Sequence, residues 1–518
     1  MKIKEEYDVI LIGDSLSGLV CANLLVQEGV SVLCVPNKEE RDEEFSNTKI
    51  PFEFSPNILV GMKKGQICQK ILEKIGFDLS QTQEIHPSLQ LISARNRVGS
   101  SRVNFYTEYS KTVLEMEREY GSYYLEGARC FSELYQFSNA FQSEESLELY
   151  LTQADFVNSA RKKIQKHFSI SSPSNLMKVS RSLGFENELS SLLMAGSYFL
   201  GRRIPNQIQF SESLVATSLL LGGGVSIPGG ISEFKQGLIN SFLKLGGHLK
   251  KTKVERVLHD GKNLDGVMLA SFEGQVKSGK VICATDPYHS SQLFDEEVHL
   301  FSDPCLRVST PKALTLSLEV VVKKEFLSIM AGDLIFFVEE PRLEATEGNT
   351  AMLQISPLLT EVPEGSVKVI ISTVILIEEE GLRPIRLQRI ERWLRQKLLE
   401  LFPYVKGSEI YVSPSPESHE EILYYYSTHE NLPVEAKWYP TQSLDPLGLN
   451  GLPIRSRLKN IYTLNPLNFP AMGNYGEFIG ASICRNYICD SMRRGPFSEW
   501  ASDWFNPNQE GIEEWTDD

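Results

Sequence analysis

A doubly wound α/β fold is predicted, its parallel sheet assembled from three separated pieces of chain with α+β material inserted between them. Three observations predict it. Residues 7–37, YDVILIGDSLSGLVCANLLVQEGVSVLCVPN, read as strand, glycine turn, helix and strand. The same character returns at Gly222, where a glycine-rich turn opens a helix and a hairpin-like sequence follows. It returns once more at Asn460-Ile461-Tyr462-Thr463-Leu464, an apolar strand that leads into a glycine-rich turn and a last helix. Strands alternating with helices are the pattern of parallel sheets covered by helices.

The opening unit carries the most chemistry. An apolar strand, Val9 to Ile12, runs into Gly13-Asp14-Ser15-Leu16-Ser17-Gly18, and a helix follows directly. This is the βαβ arrangement in which a tight turn aims a helix N-terminus at a dinucleotide pyrophosphate. Gly13 suits the tight turn and Gly18 the close packing of helix on strand. Ser15 stands where a middle glycine lets the phosphates approach, and its hydroxyl can donate to phosphate. An acidic residue roughly 20 positions past the turn normally holds the ribose. That place falls on Pro36, which offers no side-chain acceptor, and only the amide of Asn37 is available to replace it. A fold that keeps the architecture and has lost the ligand therefore stands beside a nucleotide-binding one.

Composition narrows the class. A chain of 518 residues exceeds the size at which single cores stop growing, so more than one lobe is expected. Hydrophobic residues at 42% supply an ordinary globular core, and a net charge of −15 argues against nucleic acid, whose binding needs basic patches. Lys2 and Lys4 lead straight into Glu5, Glu6 and a strand, unlike a signal peptide. No stretch has the length of a clean membrane span. The longest uncharged run, 213–232, contains several glycines and Pro228, and reads as strand, turn and helix. The eight cysteines form no C-x-x-C pair or metal-like cluster and fall in apolar patterns, which fits a reducing cytoplasm.

Element by element, the charged run Lys38 to Glu44 reads as a solvated loop, and residues 52–59 alternate like a strand broken at Ser55-Pro56. A helix is expected over about 65–75, capped by Gly76. From Ala94 to about Phe210 helical spacing dominates, as in 147–167 and 187–199. Gly229-Gly230 opens a helix with Phe234, Leu238 and Phe242 on its apolar side. Strands are expected at 251–258, 266–269, 280–285, 313–322 and 367–377, with a long amphipathic helix at 385–401. The tail from Glu499 is acidic and carries Trp500, Trp504 and Trp515, which reads as a packed or frayed terminus.

This order of segments resembles the phytoene desaturase and flavin amine oxidase branch of two-domain flavoproteins, over the whole chain. Residues 13–36 resemble its N-terminal flavin-nucleotide motif, and Phe52 to Leu59 its F-D-x-G-P-x-x-L segment with Ser55 in place of glycine. Ile227-Pro228-Gly229-Gly230 resembles the turn before the second long helix. Residues 252–257 resemble the strand whose central valine, here Val254, holds adenine through its backbone. Residues 461–488 resemble the closing motif, although its Gly-Asp pair is Asn465-Pro466 here.

The resemblance implies a Rossmann-like FAD-binding domain built from 1–93, 222–290 and 451–498. A substrate domain of 94–221 (helical) and 291–450 is inserted, and 499–518 forms a tail. It implies FAD as cofactor, with Gly13, Ser15, Leu16, Ser17 and Gly18 at the diphosphate, Asn37 at the ribose and Val254 at adenine. Asn465 stands at the ribityl end, and Gly473, Asn474 and Tyr475 face the flavin ring. Losing two charge-assisted hydrogen bonds weakens binding by about two to four powers of ten.

Two functions follow as expectations. One is FAD-dependent oxidation or desaturation of an apolar, isoprenoid-like substrate by hydride transfer to flavin; the other is a non-catalytic scaffold for a lipid or a protein, as in Rab escort and GDP-dissociation-inhibitor proteins of related fold. An NAD-dependent dehydrogenase is disfavoured by the Pro-Gly-Gly turn and the closing glycine motif. The expected partner is an apolar small molecule or lipid, not nucleic acid. Peripheral membrane contact and a homodimer stay open. No catalytic side chain stands out: His167, His248, His259, His289, His419 and His429 lie in polar or turn contexts, and Met194, Tyr198 and Phe199 read as core packing before channel lining.

Overall fold

The computed structural model describes residues 6–36, 52, 58–80, 82–94, 100–142, 152–168, 181–201, 210–260, 263–270, 274–294, 303, 305, 310–328, 330–341, 348–357, 364–378, 382–413, 426, 432, 436–440, 449 and 451–492. Asn37, the charged run 38–44, residues 53–57 and the tail from Glu499 lie outside them.

The chain returns three times to one seven-stranded sheet. At its centre β1 (Glu6–Ile12) pairs parallel with β2 (Val32–Val35), Ile12 opposite Val35, and β8 (His248–Leu249) continues parallel beyond β2. On the other side β1 pairs parallel with β11 (Gly274–Cys283). The start of β11 carries an antiparallel meander, β10 (Leu264–Leu269) and β9 (Val254–His259); its end carries β18 (Ile461–Thr463) in parallel. Both faces of β1 and β2 are covered, so these strands read as continuous apolar runs.

One face is covered by α1 (Leu16–Gln27), which is buried from Leu16 to Val26. It packs between α8 (Gly230–Lys244) and α11 (Gly473–Ser491). Asn23 fastens it to α8 by donating from Nδ2 to the Leu238 carbonyl at 3.0 Å. The helix begins at an N-cap serine, Ser15, and stops where Gly29 takes a positive φ of 75° and Val30 donates back to the Leu25 carbonyl.

The turn before α1 is shaped by the residue that follows β11. Gly13 has φ 102°, and a Cβ there would stand 2.4 Å from the Ala284 carbonyl oxygen. A Cβ on Gly18 would stand 2.4 Å from the Ala284 methyl. Both glycines are thus required by Ala284, the one by its carbonyl and the other by its methyl, some 270 residues away in sequence.

The second sheet has eight strands, in the order β16 (Tyr411–Ser413), β12 (Ala313–Lys323), β15 (Ser366–Leu376), β14 (Thr350–Pro357), β13 (Leu334–Val338), β5 (Leu89–Ala94) and β6 (Ser100–Phe105). The eighth, β17 (Lys437–Trp438), shares the edge of β12 with β16. In the gap between them Tyr426 covers the edge, its hydroxyl accepting from the Ser317 amide at 3.3 Å. Leu387, Ile390, Leu394 and Leu398 of α10 (Pro384–Leu401) recur at helical spacing and pack on Leu316, Leu318 and Val320. The opposite face meets the helical layer: α3 (Tyr109–Tyr120), α4 (Tyr124–Gln142), α5 (Gln153–Phe168), α6 (Glu186–Gly196) and α7 (Phe210–Leu221). Tyr198, in the π-helical turn Ser197–Gly201, joins the layers by ring contacts with Phe336 and Trp438. A three-stranded sheet, β3 (Ile58–Val60), β7 (Gly224–Ser226) and β4 (Gln83–Glu84), lies between, and the short α2 (Ile67–Lys74) and α9 (Pro287–Gln292) complete the described helices.

Two expectations are corrected. Residues 213–221 are helical rather than a strand, because a uniformly apolar run carries no periodicity that separates a buried helix from a buried strand. The chain also leaves the nucleotide-type domain before residue 94. Residues 89–94 pair with β13 and β6, and a strand belongs to whichever sheet completes its hydrogen-bond ladder. Among the described residues no helix is long and apolar enough to cross a membrane, and no group of three His, Cys, Asp or Glu could hold a metal.

In an open helix Gly18→Ala would stabilise by about 1 kcal/mol; against the Ala284 methyl it is expected to destabilise by about 1–3 kcal/mol. Adding Ala284→Gly should recover part of that loss, and urea unfolding of the double-mutant cycle measures the coupling.

A second expectation concerns pH. Lys74 lies 3.8 Å and Arg485 2.7 Å from the Glu28 carboxylate, where α1, α2 and α11 meet. Burial, with help from Arg485 and against Glu28, pulls the Lys74 amine down to about 7. Between that value and the ordinary lysine range the folded state holds fewer protons than the unfolded one, so this group makes stability rise with pH from about 7 towards 10. Lys74→Met should flatten that rise in Tm against pH relative to the wild type.

Candidate functional site

The first amides of a helix have no partner inside it and carry the positive end of its dipole, which is why helix N-termini bind anions. At α1 three of those amides have partners within the protein, and among the described residues the Leu16 amide has none. The Ser15 amide donates to the Ala284 carbonyl at 3.0 Å, and the Gly18 amide to the Ser15 hydroxyl at 3.1 Å. The Ser17 amide donates to the Glu477 carboxylate at 3.3 Å. Ser15 and Ser17 are almost fully buried, and Glu477 is only 7% exposed. Ser15 also turns its hydroxyl proton away from the helix, onto the Leu464 carbonyl at 3.1 Å, while the Ser17 hydroxyl lies 3.2 Å from it.

Glu477 comes from α11, whose first turn packs against the end of β3. Asn474 clasps the Val60 backbone, accepting from its amide at 3.3 Å and donating to its carbonyl at 3.2 Å. The Tyr475 ring lies over Gly61, where a Cβ would meet it at 2.5 Å. Gly473, at φ 53°, leaves its Cβ position to Leu200, whose carbonyl oxygen would be 2.9 Å away.

The other expected site residues lie as follows. Asn465 is the N-cap of the 3-10 turn Pro466–Asn468, accepting from the Leu467 amide at 2.9 Å and donating its own amide to the Asn468 side chain at 2.8 Å. Val254 opens β9 opposite Leu269, within the apolar cluster of Ile12 and Val35, on the face of the sheet turned away from α1. The structure therefore brings Ser15 against Leu464 and Ser17 against Glu477, sets Gly18 against Ala284, and gathers Asn474 and Tyr475 at the end of β3 and Gly473 against Leu200. Glu477 escapes the sequence motifs. Its signal is simple: it is the one charged residue between Ala471 and Cys484.

The thiols near the turn are inert. Burial pushes Cys34 up, with the Asp14 carboxylate adding to it, and burial pushes Cys283 up to about 12. Such cysteines pack as small hydrophobes.

Known structures share this fold. A putrescine oxidase with redesigned cofactor binding superimposes with a TM-score of 0.54 at 14% identity, over 95% of this chain and 99% of that one. Cyclohexylamine oxidase from Brevibacterium oxydans gives 0.52 at 12% identity, over 94% and 100%. An oxidoreductase from Methanosarcina mazei gives 0.52 at 11% identity, over 94% and 99%. The chain has the flavin amine oxidase-like fold. No family model matches it, and no curated protein does. At these identities the likeness establishes architecture and leaves chemistry to the residues present.

Those residues do not fit the diphosphate of a flavin dinucleotide as they stand. A phosphate at the Ser17 amide would meet the Glu477 carboxylate, and like charges about 4 Å apart repel by about 4 kcal/mol at an effective dielectric of about 20. Leu200 backs directly onto Gly473, and Pro36 carries no side-chain acceptor.

Ser15→Ala removes the partner of both the Gly18 amide and the Leu464 carbonyl. It is expected to cost about 0.5–2 kcal/mol of stability, as loss of a helix N-cap does, read from chemical unfolding.

Proposed function

We propose that this protein is a non-catalytic relative of the flavin amine oxidases that acts as a scaffold for an apolar small molecule, a lipid or a protein partner. The observation that carries the reading is the Glu477 carboxylate on the Ser17 amide, where a dinucleotide diphosphate would otherwise lie. Two further features support it. The acidic positions of the nucleotide motifs are Pro36 and Asn465-Pro466, and Asn465 spends its side chain on its own turn. Gly13 and Gly18, the motif residues that do survive, are both needed by the packing of Ala284, with or without a ligand.

The competing reading is FAD-dependent oxidation of an apolar substrate. It rests on the order of the sequence motifs and on the fold shared with oxidases. The two are separated by the absorbance spectrum of the purified full-length protein, followed by acid denaturation and identification of any released nucleotide. A colourless protein that releases no flavin and shows no saturable binding when titrated with FAD is expected. A yellow protein carrying near-equimolar FAD would overturn the proposal and restore the redox reading.

A further inference from the structure

We infer that Glu477 is a built-in anion, a side chain that substitutes for a bound oxyanion at the α1 N-terminus and fastens the closing helix to the opening turn. The inference rests on the reading above and deepens it by stating what fills the seat and how. A carboxylate with so little exposure is costly unless hydrogen bonds and positive potential offset its lost hydration. The Ser17 amide supplies one such bond, and the aligned dipoles of a 12-residue helix supply potential. The bond spans 460 positions, so it closes the first and last pieces of the sheet domain on each other. A ligand in that place would also bridge α1 and α11, but only while bound. With Glu477 the bridge is permanent.

The geometry gives this site a defined chemistry. Beyond its Cβ, glutamate is a methylene and a carboxylate, the atoms of an acetate ion. Glu477→Ala therefore vacates a space of acetate size and charge beside an unoccupied Ser17 amide. The latent site should accept a small carboxylate, or one phosphate of inorganic pyrophosphate.

The test follows Tm of the full-length wild type, Glu477→Ala and Glu477→Gln during titration with sodium acetate, with sodium chloride at matched ionic strength as the control. Glu477→Ala should lose about 2–6 °C, consistent with the size scaling of thermal shifts. About 100 mM acetate should return at least half of that loss through binding to the folded state alone. Chloride should return none, and the wild type should not respond. Glu477→Gln, which keeps the shape without the charge, should also melt lower than the wild type and ignore acetate. The inference is overturned if Glu477→Ala melts with the wild type, or if acetate raises both equally. Should Glu477→Ala fail to fold, the Gln variant decides, since equal Tm with the wild type overturns the inference. Flavin bound to the wild-type protein would sink the proposed function itself; a colourless wild type with an alanine variant blind to acetate sinks only this inference.

Discussion

The approach of Ala284 to the opening turn is the constraint on which the rest depends. Its carbonyl and methyl occupy the spaces where side chains at 13 and 18 would stand, and its carbonyl takes the Ser15 amide. That approach locks β11 to β1, sets the angle at which α1 leaves the sheet, and fixes where the helix N-terminus points. Glycines that the resemblance places at a phosphate are explained here by the close approach of the Ala284 carbonyl and methyl. The same two residues satisfy either account, so their presence does not establish a cofactor.

Once α1 is aimed, its free amides need partners, because buried donors left unpaired cost about 1–3 kcal/mol each. A cofactor is one way to provide them. This chain provides three internally, to the Ser15, Gly18 and Ser17 amides, from the Ala284 carbonyl, the Ser15 hydroxyl and the Glu477 carboxylate. At the start of α11 the Asn474 side chain pairs with the Val60 backbone and Leu200 closes on Gly473. Pro36 and Asn465-Pro466 likewise present no acidic side chain near the turn that Glu477 reaches.

Much of the architecture was legible. Strand–turn–helix–strand at the start, the Pro-Gly-Gly helix, the 254–269 hairpin and the amphipathic helix at 384–401 all follow from local apolar patterns and turn residues. Residues 89–94 and 213–221 were misread because a strand's sheet is set by distant ladder partners, and a fully buried helix has no polar face to betray its period. Tyr198, read as core before channel, is 3% exposed and packed between the layers.

By itself the sequence determined the kind of sheet, the places where the chain returns to it, and the departures at Ser15, Pro36 and Asn465, because these depend on neighbours within a turn or a strand. Only the tertiary structure decided what meets the helix end. Whether Ser17 faces a phosphate or a carboxylate turns on a bond to residue 477, and no local pattern encodes a contact made by folding the last helix back onto the first.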